Sequence, residues 1–293
     1  MKDTAARMPI GITDTSYGVY GPRGRYDKIS EDGYDCIDYQ GFVNIETEFF
    51  GLGDESFARA ITEEREYIES RGLKVTQAHS PWRYPTKDSD PKERSAWIAA
   101  MKKAIRGTHL LGATRFVVHP LIPYQDRPDR PDEVIAMNEE FFATLADYAK
   151  DYGVTVCMEN MPFEQYPLST VEATCAFVDK VNRENLKVCL DTGHAAIFNA
   201  DVAGAVRYVG DRLCAVHIHD NMGDTDSHLI PGDGVIDWDA FSRALGEIGF
   251  CGVVSIETSP NHGSFPKEQW HDREVLLSNI AKNIAAKAKN SSK

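Results

Sequence analysis

Eight short apolar runs, each followed by a polar or helical segment, constrain the fold more than any other feature of this sequence. The runs are rich in β-branched residues and almost continuously apolar, which is typical of strands covered on both faces of a parallel sheet. They cover residues 9–13, 34–39, 73–79, 114–120, 154–160, 186–194, 213–220 and 252–258. Helical patterns occupy 54–72, 90–112, 131–153, 168–182, 201–209, 237–249 and 274–288.

This alternation over 293 residues predicts an α/β fold, the (β/α)8 TIM barrel. We expect one barrel domain spanning 1–293, with a short flexible tail near 287–293. A doubly wound sheet is the alternative. It has little support, because no GxGxxG sequence follows the first strand and a dinucleotide site is therefore not indicated.

Composition indicates a cytoplasmic protein. No apolar stretch approaches the roughly 20 residues that span a bilayer, and "MKDTAARMPIG" lacks the apolar core of a signal peptide. Six cysteines without a CxxC pair indicate small buried side chains in a reducing compartment, among them Cys157, Cys189, Cys214 and Cys251. The net charge of −13 argues against a nucleic-acid partner. No membrane partner is expected, and assembly into a homo-oligomer stays open.

Polar side chains gather where the predicted strands end. In a TIM barrel these ends converge on one face, which carries the chemistry. The residues in question are His79, His119, Glu159, Asp191, His194, His217, His219 and Glu257, with Asp226 and His228 in the loop after the seventh strand. A single histidine at a strand end is more often a hydrogen-bonded polar group than a metal ligand. Whether these strand ends form a metal site therefore depends on the carboxylates.

Glu159, Asp191 and Glu257 each follow an apolar run, where an unpaired carboxylate would be costly to bury. A bound cation offsets that cost. Three carboxylates with at least one histidine suit Mn²⁺, Mg²⁺, Co²⁺ or Zn²⁺, and the lack of thiolates argues against a structural zinc. The sequence therefore predicts a divalent-metal enzyme. A non-catalytic metal- or sugar-binding protein is the alternative.

From His79 to Glu257 the chain resembles the xylose isomerase-like TIM barrels. These include sugar and sugar-phosphate isomerases and epimerases, and also apurinic endonucleases of the endonuclease IV type. The resemblance rests on "MEN" at 158–160, "LDTGH" at 190–194, and "HIHDN" with "DSHLIPGDGVIDW" within 217–238. The last string looks most like the sugar-acting branch.

The resemblance implies a metal-dependent isomerase or epimerase that abstracts a proton next to the carbonyl of a keto-sugar, with Mn²⁺ as the expected ion. Glu159 and Glu257 would be the catalytic acid and base. The metal ligands would be Glu159, Asp191, His217 and Glu257. Some ketose 3-epimerases have an HxH of their own and bind the metal through its second histidine, which would favour His219 here. We nevertheless expect His217 to be the metal ligand.

The remaining polar residues would contact the substrate. This group comprises His79, His119, His194, His219, Asp226, His228 and Trp82. Phe163 or Tyr166 would either stack on the sugar or pack at the rim. Arg83 and Arg127 are the main cations near the strand ends, and "DNMGDTD" lacks the arginine found there in ketose 3-epimerases. We therefore expect a neutral sugar instead of a sugar phosphate.

Two alternatives remain within the resemblance. Nine residues match the positions that bind three zinc ions in the endonuclease branch, although "ENMPFEQYP" replaces that branch's glycine-rich loop. The nine are His79, His119, Glu159, Asp191, His194, His217, Asp226, His228 and Glu257. A lyase that cleaves C-glycosides by metal-assisted elimination is the other alternative.

Overall fold

Eight parallel strands form a barrel in the computed structural model, which describes residues 7–83, 86–123 and 130–292. The strands are β1 (Ile10–Thr13), β2 (Cys36–Tyr39), β3 (Lys74–His79), β4 (Arg115–Val118), β5 (Thr155–Glu159), β6 (Leu186–Asp191), β7 (Leu213–His217) and β8 (Val254–Ile256). Neighbours in sequence are neighbours in the sheet, and β1 also pairs with β8. The predicted fold class is confirmed.

The barrel closes just beyond β7. The Ile218 amide donates to the carbonyl of Ser255 over 2.9 Å, and the Glu257 amide donates to the carbonyl of Ile218 over 2.9 Å. This bridge joins Ile218 to Ile256 in parallel register and connects the two ends of the sheet.

Ten helices in the described ranges surround the strands. They are α1 (Gly21–Glu31), α2 (Glu48–Gly51), α3 (Asp54–Ser70), α4 (Pro91–Leu110), α5 (Pro131–Lys150), α6 (Val171–Val181), α7 (Thr192–Phe198), α8 (Val202–Val209), α9 (Trp238–Glu247) and α10 (Trp270–Asn290). Four glycines that join a helix to the next strand, Gly72, Gly112, Gly153 and Gly249, all have positive φ, between 64° and 79°. Glycine adopts this conformation without strain, so the chain can turn sharply from helix to strand at each of these positions.

Several segments differ from the sequence-based prediction. The sixth strand ends at Asp191 and not at His194, because Asp191 caps α7 by accepting the His194 amide over 2.7 Å. Helices α1, α2 and α7 were not predicted. Regular helix also continues to Asn290, into the segment predicted as a flexible tail, because Ala288 is buried and Lys287 pairs with Asp239.

The barrel interior carries small side chains beneath the strand ends. Val117, Cys157, Cys189 and Ala215 form one buried cluster. Because side chains two residues apart face the same way in a strand, the four residues of this cluster lie one layer below His119, Glu159, Asp191 and His217.

The expectation that Cys251 is buried is wrong: it is exposed in the turn between α9 and β8. No helix in the described ranges combines the length and apolar character needed to cross a bilayer.

Candidate active site at the carboxyl ends of the strands

Four residues predicted as metal ligands meet at the upper end of the barrel. Glu159, Asp191 and His217 are the last residues of β5, β6 and β7, and Glu257 follows β8 directly. The first three are buried, whereas the Glu257 side chain is 19% exposed. Their candidate ligand atoms all lie within 4.8 Å of one another, which is close enough for one ion to contact all four.

His217 occupies the centre of this group. Its Nδ1 atom lies 3.1 Å from Glu159 Oε1 and 2.8 Å from Glu257 Oε2. Its Nε2 atom lies 2.9 Å from Asp38 Oδ2, on β2. This contact is at ion-pair distance but is not aligned as a hydrogen bond. A carboxylate beside the second ring nitrogen is usual for metal-bound imidazoles.

A second group shares the Glu159 carboxylate. His119 Nε2 lies 3.1 Å from Glu159 Oε2, and His79 Nε2 lies 3.6 Å from the same atom. The ligand atoms of these three residues also lie within 4.8 Å of one another. Glu159 therefore contacts two neighbouring clusters.

A third group contains His219. Asp226 lies 3.3 Å from His194 Nε2 and 3.2 Å from His228 Nε2, while the rings of His219 and His228 stack with centroids 3.9 Å apart. His219 Nε2 lies 2.9 Å from Asp191 Oδ2. The structure thus places His217 among the four predicted ligands at the centre and His219 mainly in the adjoining cluster.

Burial and charge pairing perturb several pKa values at the site. Burial opposes ionisation of Glu159, but the neighbouring His217 and His119 hold its pKa well below the ordinary value. Burial also opposes protonation of His194, yet Asp191 and Asp226 raise its pKa to about 10. Asp226 raises the pKa of His228 to about 9 against the effect of burial. The site therefore concentrates negative charge, which His194 and His228 partly neutralise by taking up protons.

These residues fit a divalent cation. Within the described part of the chain, four atoms of the site are buried without a hydrogen bond: Glu159 Oε2, His119 Nδ1, His217 Nε2 and His219 Nδ1. Carboxylate oxygens and imidazole nitrogens together suit Mn²⁺, Co²⁺ or Zn²⁺. One thiol is also near, because Cys189 Sγ lies within 4.8 Å of ligand atoms of Glu159 and His217. Burial raises the Cys189 pKa well above its usual value, so the group stays a protonated thiol, which is a poor ligand.

A cavity of about 230 Å³ opens above the cluster. It is lined by Gln40, Val43, His79, Trp82, His119, Glu159, His194, Asp226, His228 and Glu257. Trp82 is 46% exposed there and meets the His119 ring edge-on, with centroids 6.2 Å apart. Gln40 and Val43, which line the cavity, and Asp38, which contacts His217, were not predicted as site residues. The signal for Asp38 was present, since this carboxylate interrupts the apolar run "CIDY" just as Glu159 ends "VTVCME".

Four residues considered from the sequence as substrate contacts or cations near the site do not line this cavity. His219, predicted to contact the substrate, is fully buried. Tyr166 is buried and donates to the carbonyl of Leu121 over 2.7 Å, so it packs at the rim. Phe163 is partly buried against the hydrophobic core. The Arg83 guanidinium lies 4.3 Å from the Trp97 ring centre and pairs with Glu93 over 3.1 Å. Arg127 falls outside the described residues.

Curated relatives with similar sequences include sugar-converting enzymes. A D-psicose 3-epimerase from Enterocloster bolteae is 27% identical over 86% of this chain and 85% of its own length. An inosose isomerase from Bacillus subtilis is 30% identical over 57% of this chain. The match spans only 62% of that isomerase, and only 57% of a similar protein from Methanocaldococcus jannaschii.

Solved structures show the same fold. A D-psicose 3-epimerase determined in the presence of D-fructose matches with a TM-score of 0.77 at 21% identity, covering 95% of this chain and 100% of that one. The IOLI protein with a bound zinc atom matches with a TM-score of 0.73 at 23% identity, covering 98% and 99%. The sequence profile described as "Xylose isomerase-like TIM barrel" matches residues 26–277. The chain belongs to the xylose isomerase-like TIM barrel family.

Proposed function

We propose that this protein is a divalent-metal-dependent sugar isomerase or epimerase that abstracts a proton next to the carbonyl of a keto-sugar. The observation that carries the proposal is the meeting of Glu159 and Glu257 at one imidazole nitrogen of His217, at 3.1 and 2.8 Å, below a cavity of about 230 Å³. The D-psicose 3-epimerase and inosose isomerase among the relatives support this class of reaction.

The two carboxylates suit a proton transfer at carbon. Strands β5 and β8 are three positions apart around the barrel, so Glu159 and Glu257 reach the site from different directions. Glu159 is ionised at neutral pH because its pKa is held low, so it can accept a proton. If the second carboxylate returns a proton on the opposite face of the same carbon, the centre is inverted. Return to the neighbouring carbon gives an aldose–ketose isomerisation. Such acid–base steps contribute about 10²–10⁴-fold to a rate.

Glu159, Asp191, His217 and Glu257 would hold the ion. Its chemistry when bound is Lewis-acid stabilisation of the negative charge that develops as the C–H proton leaves. We propose Mn²⁺, with Co²⁺, Mg²⁺ and Zn²⁺ as alternatives. His194 is protonated at neutral pH, since its pKa is raised to about 10. Its Nδ1 atom donates to the carbonyl of Asn160 over 2.8 Å, so it would donate to a substrate oxygen through Nε2, in place of the 3.3 Å contact with Asp226.

The substrate that we propose is neutral. None of the described residues that line the cavity is a lysine or arginine, and Arg83 is engaged elsewhere. Phosphate groups are usually bound by such cations, with arginine giving bidentate contacts.

Metal-dependent turnover tests the proposal. The protein would be stripped with a chelator, reloaded with Mn²⁺, and incubated with ketohexoses, ketopentoses and inososes, with products separated by chromatography. We expect a new isomer that appears only after reloading. Glu164→Gln should convert as wild type does, because Glu164 is an exposed residue beyond β5. Absence of conversion of every keto-sugar by the reloaded protein would contradict the proposal.

A second candidate function is metal-dependent phosphodiester hydrolysis. It is favoured by the arrangement of the same nine residues in three adjoining clusters, each able to hold a cation. The scarcity of cations around the cavity weighs against it, because polyanionic substrates are bound largely through lysine and arginine.

A further inference from the structure

A second cavity adjoins the active-site cavity on the side of β1 and β8. Its volume is about 320 Å³, and it shares Gln40, His228 and Glu257 with the cavity above the metal cluster. Its other lining residues are Thr13, Thr15, Ser16, Thr258 and Ser259. The two spaces are therefore parts of one cleft, and the second part is lined by hydroxyl groups.

Three of the five hydroxyl protons in this second cavity are committed to the protein. Ser16 donates to the carbonyl of Thr258 over 3.0 Å. Since a hydroxyl has one proton, the 2.7 Å contact between Thr13 and Ser16 must use the proton of Thr13. The Thr258 hydroxyl donates to the carbonyl of His228. All three hydroxyls therefore offer acceptor lone pairs to a ligand.

This polarity selects among ligand classes. Ionised phosphate and carboxylate groups carry only hydrogen-bond acceptors, so they would face the acceptor atoms of these three hydroxyls. None of the described lining residues is a lysine or arginine that could bind such a group. Sugar hydroxyls supply the donors that such a surface needs. Glu257 and His228, the charged residues at this boundary, belong to the active site itself.

The volumes also favour an extended ligand. Small-molecule sites usually measure about 300–1,000 Å³, and the active-site cavity of about 230 Å³ falls below that range by itself. With the adjoining cavity of about 320 Å³ the cleft falls within it. We propose that the second cavity binds a neutral sugar ring attached to the reacting keto-sugar, so that the substrate class is a glycosylated keto-sugar. This inference rests on the proposed function.

Binding of disaccharides tests it without requiring turnover. Isothermal titration calorimetry of the Mn²⁺-loaded protein would compare D-fructose, D-fructose 6-phosphate, and the glycosylated ketoses maltulose, isomaltulose and lactulose. We expect at least one disaccharide to bind about tenfold or more tightly than both monosaccharides, the gain that one good neutral hydrogen bond can supply. D-fructose 6-phosphate should bind no better than D-fructose.

Thr15→Phe places an aromatic ring in the second cavity at an exposed position. It should lower the disaccharide-to-fructose affinity ratio about tenfold, back toward unity. Val19→Phe is the matched control, because it adds similar bulk to the same segment at a residue that is 54% exposed and lines neither cavity. It should leave the ratio unchanged.

Two results would overturn the inference: fructose binding as tightly as every disaccharide, or Thr15→Phe weakening fructose and disaccharide equally. Failure of the proposed function looks different. In that case no keto-sugar is isomerised, whereas the disaccharide-to-fructose affinity ratio from calorimetry still tests whether the second cavity binds a sugar ring.

Discussion

His217 and Asp38 form a buried pair, with Nε2 of the imidazole 2.9 Å from the carboxylate and both side chains fully buried. Asp38 is held in turn by Gln77, whose amide donates to it over 2.7 Å. The opposite ring nitrogen, Nδ1, faces Glu159 and Glu257. An outer acceptor of this kind orients a metal-binding histidine and raises its basicity.

Replacing Asp38 should weaken metal binding without touching a ligand. We expect Asp38→Ala to lower Mn²⁺ affinity about 10–100-fold, which is typical for loss of an outer acceptor. Asp211→Asn, at an exposed residue between α8 and β7, is the control and should bind as wild type does. Titration calorimetry measures both. Unchanged affinity in Asp38→Ala would mean that His217 does not depend on this contact.

The two histidines of "HIHDN" should differ in metal content. His217→Ala should lose most of the bound metal, because His217 sits among the four central ligands. His219→Ala should keep it and impair substrate binding or rate. Metal stoichiometry of the purified variants measures the difference, and loss of metal in His219→Ala alone would reverse the assignment.

The cluster around Asp226 decides how many ions bind. If the site is mononuclear, Asp226→Ala and His228→Ala should alter kinetics and leave the metal count unchanged. Loss of one equivalent out of several in Asp226→Ala would instead show that this cluster holds its own ion.

Duplex DNA carrying an abasic site should not be cleaved at physiological ionic strength. The chain has a net charge of −13, and the cavity lining described above lacks lysine and arginine. Gel analysis of end-labelled DNA is the assay. Robust incision by zinc-loaded protein would establish the hydrolytic alternative.

Glu274 on α10 should contribute stability that depends on pH. It is fully buried and contacts Tyr20 at 2.6 Å, His262 at 2.7 Å and Lys28 at 3.2 Å. Burial alone would raise its pKa, but Tyr20, His262 and Lys28 together lower it. A carboxyl with a lowered folded-state pKa stabilises above its unfolded pKa of about 4.3, and this contribution is lost as the pH falls through the folded value.

Glu274→Gln should therefore reduce the free energy of unfolding at pH 7 by about 1.5–3 kcal/mol, because it removes the charge from a buried group that contacts Tyr20, His262 and Lys28, while Asp32 still pairs with Lys28 over 3.0 Å. The difference from wild type should shrink below about pH 4. Glu31 is the control, because its side chain is 69% exposed and lies 3.9 Å from Lys28. Glu31→Gln should change the free energy of unfolding at pH 7 by less than about 0.5 kcal/mol. Urea unfolding at both pH values measures this. An equal loss at pH 7 and pH 3.5 would contradict the charge argument.

The sequence was informative where periodicity and burial act locally. Apolar runs that end in Glu159, Asp191 and His217 mark both the strands and the site, because a buried carboxylate needs a partner. Helix α1 was missed because "GPRGRY" reads as a turn, although proline is favoured in a first helical turn. Asp38 interrupts an apolar run in the same way, but the sequence does not show that its partner is His217 on β7.

The ambiguity between His217 and His219 has a similar origin. Residues two apart in a strand face the same way, so the sequence cannot separate them. Strand β7 ends at His217, and the chain then carries His219 toward Asp191 and His228.

Exchange of a carbon-bound proton with solvent tests the central claim most directly. Mn²⁺-loaded protein would be incubated in D₂O with a keto-sugar that it binds, and the C–H next to the carbonyl followed by proton NMR. We predict that wild type and Glu164→Gln replace this proton with deuterium. Glu159→Gln and Glu257→Gln should do so about 10²–10⁴-fold more slowly or not at all, since each removes a proton carrier and a metal ligand. Exchange at the wild-type rate in both variants, or none in the metal-loaded wild type, would contradict the account.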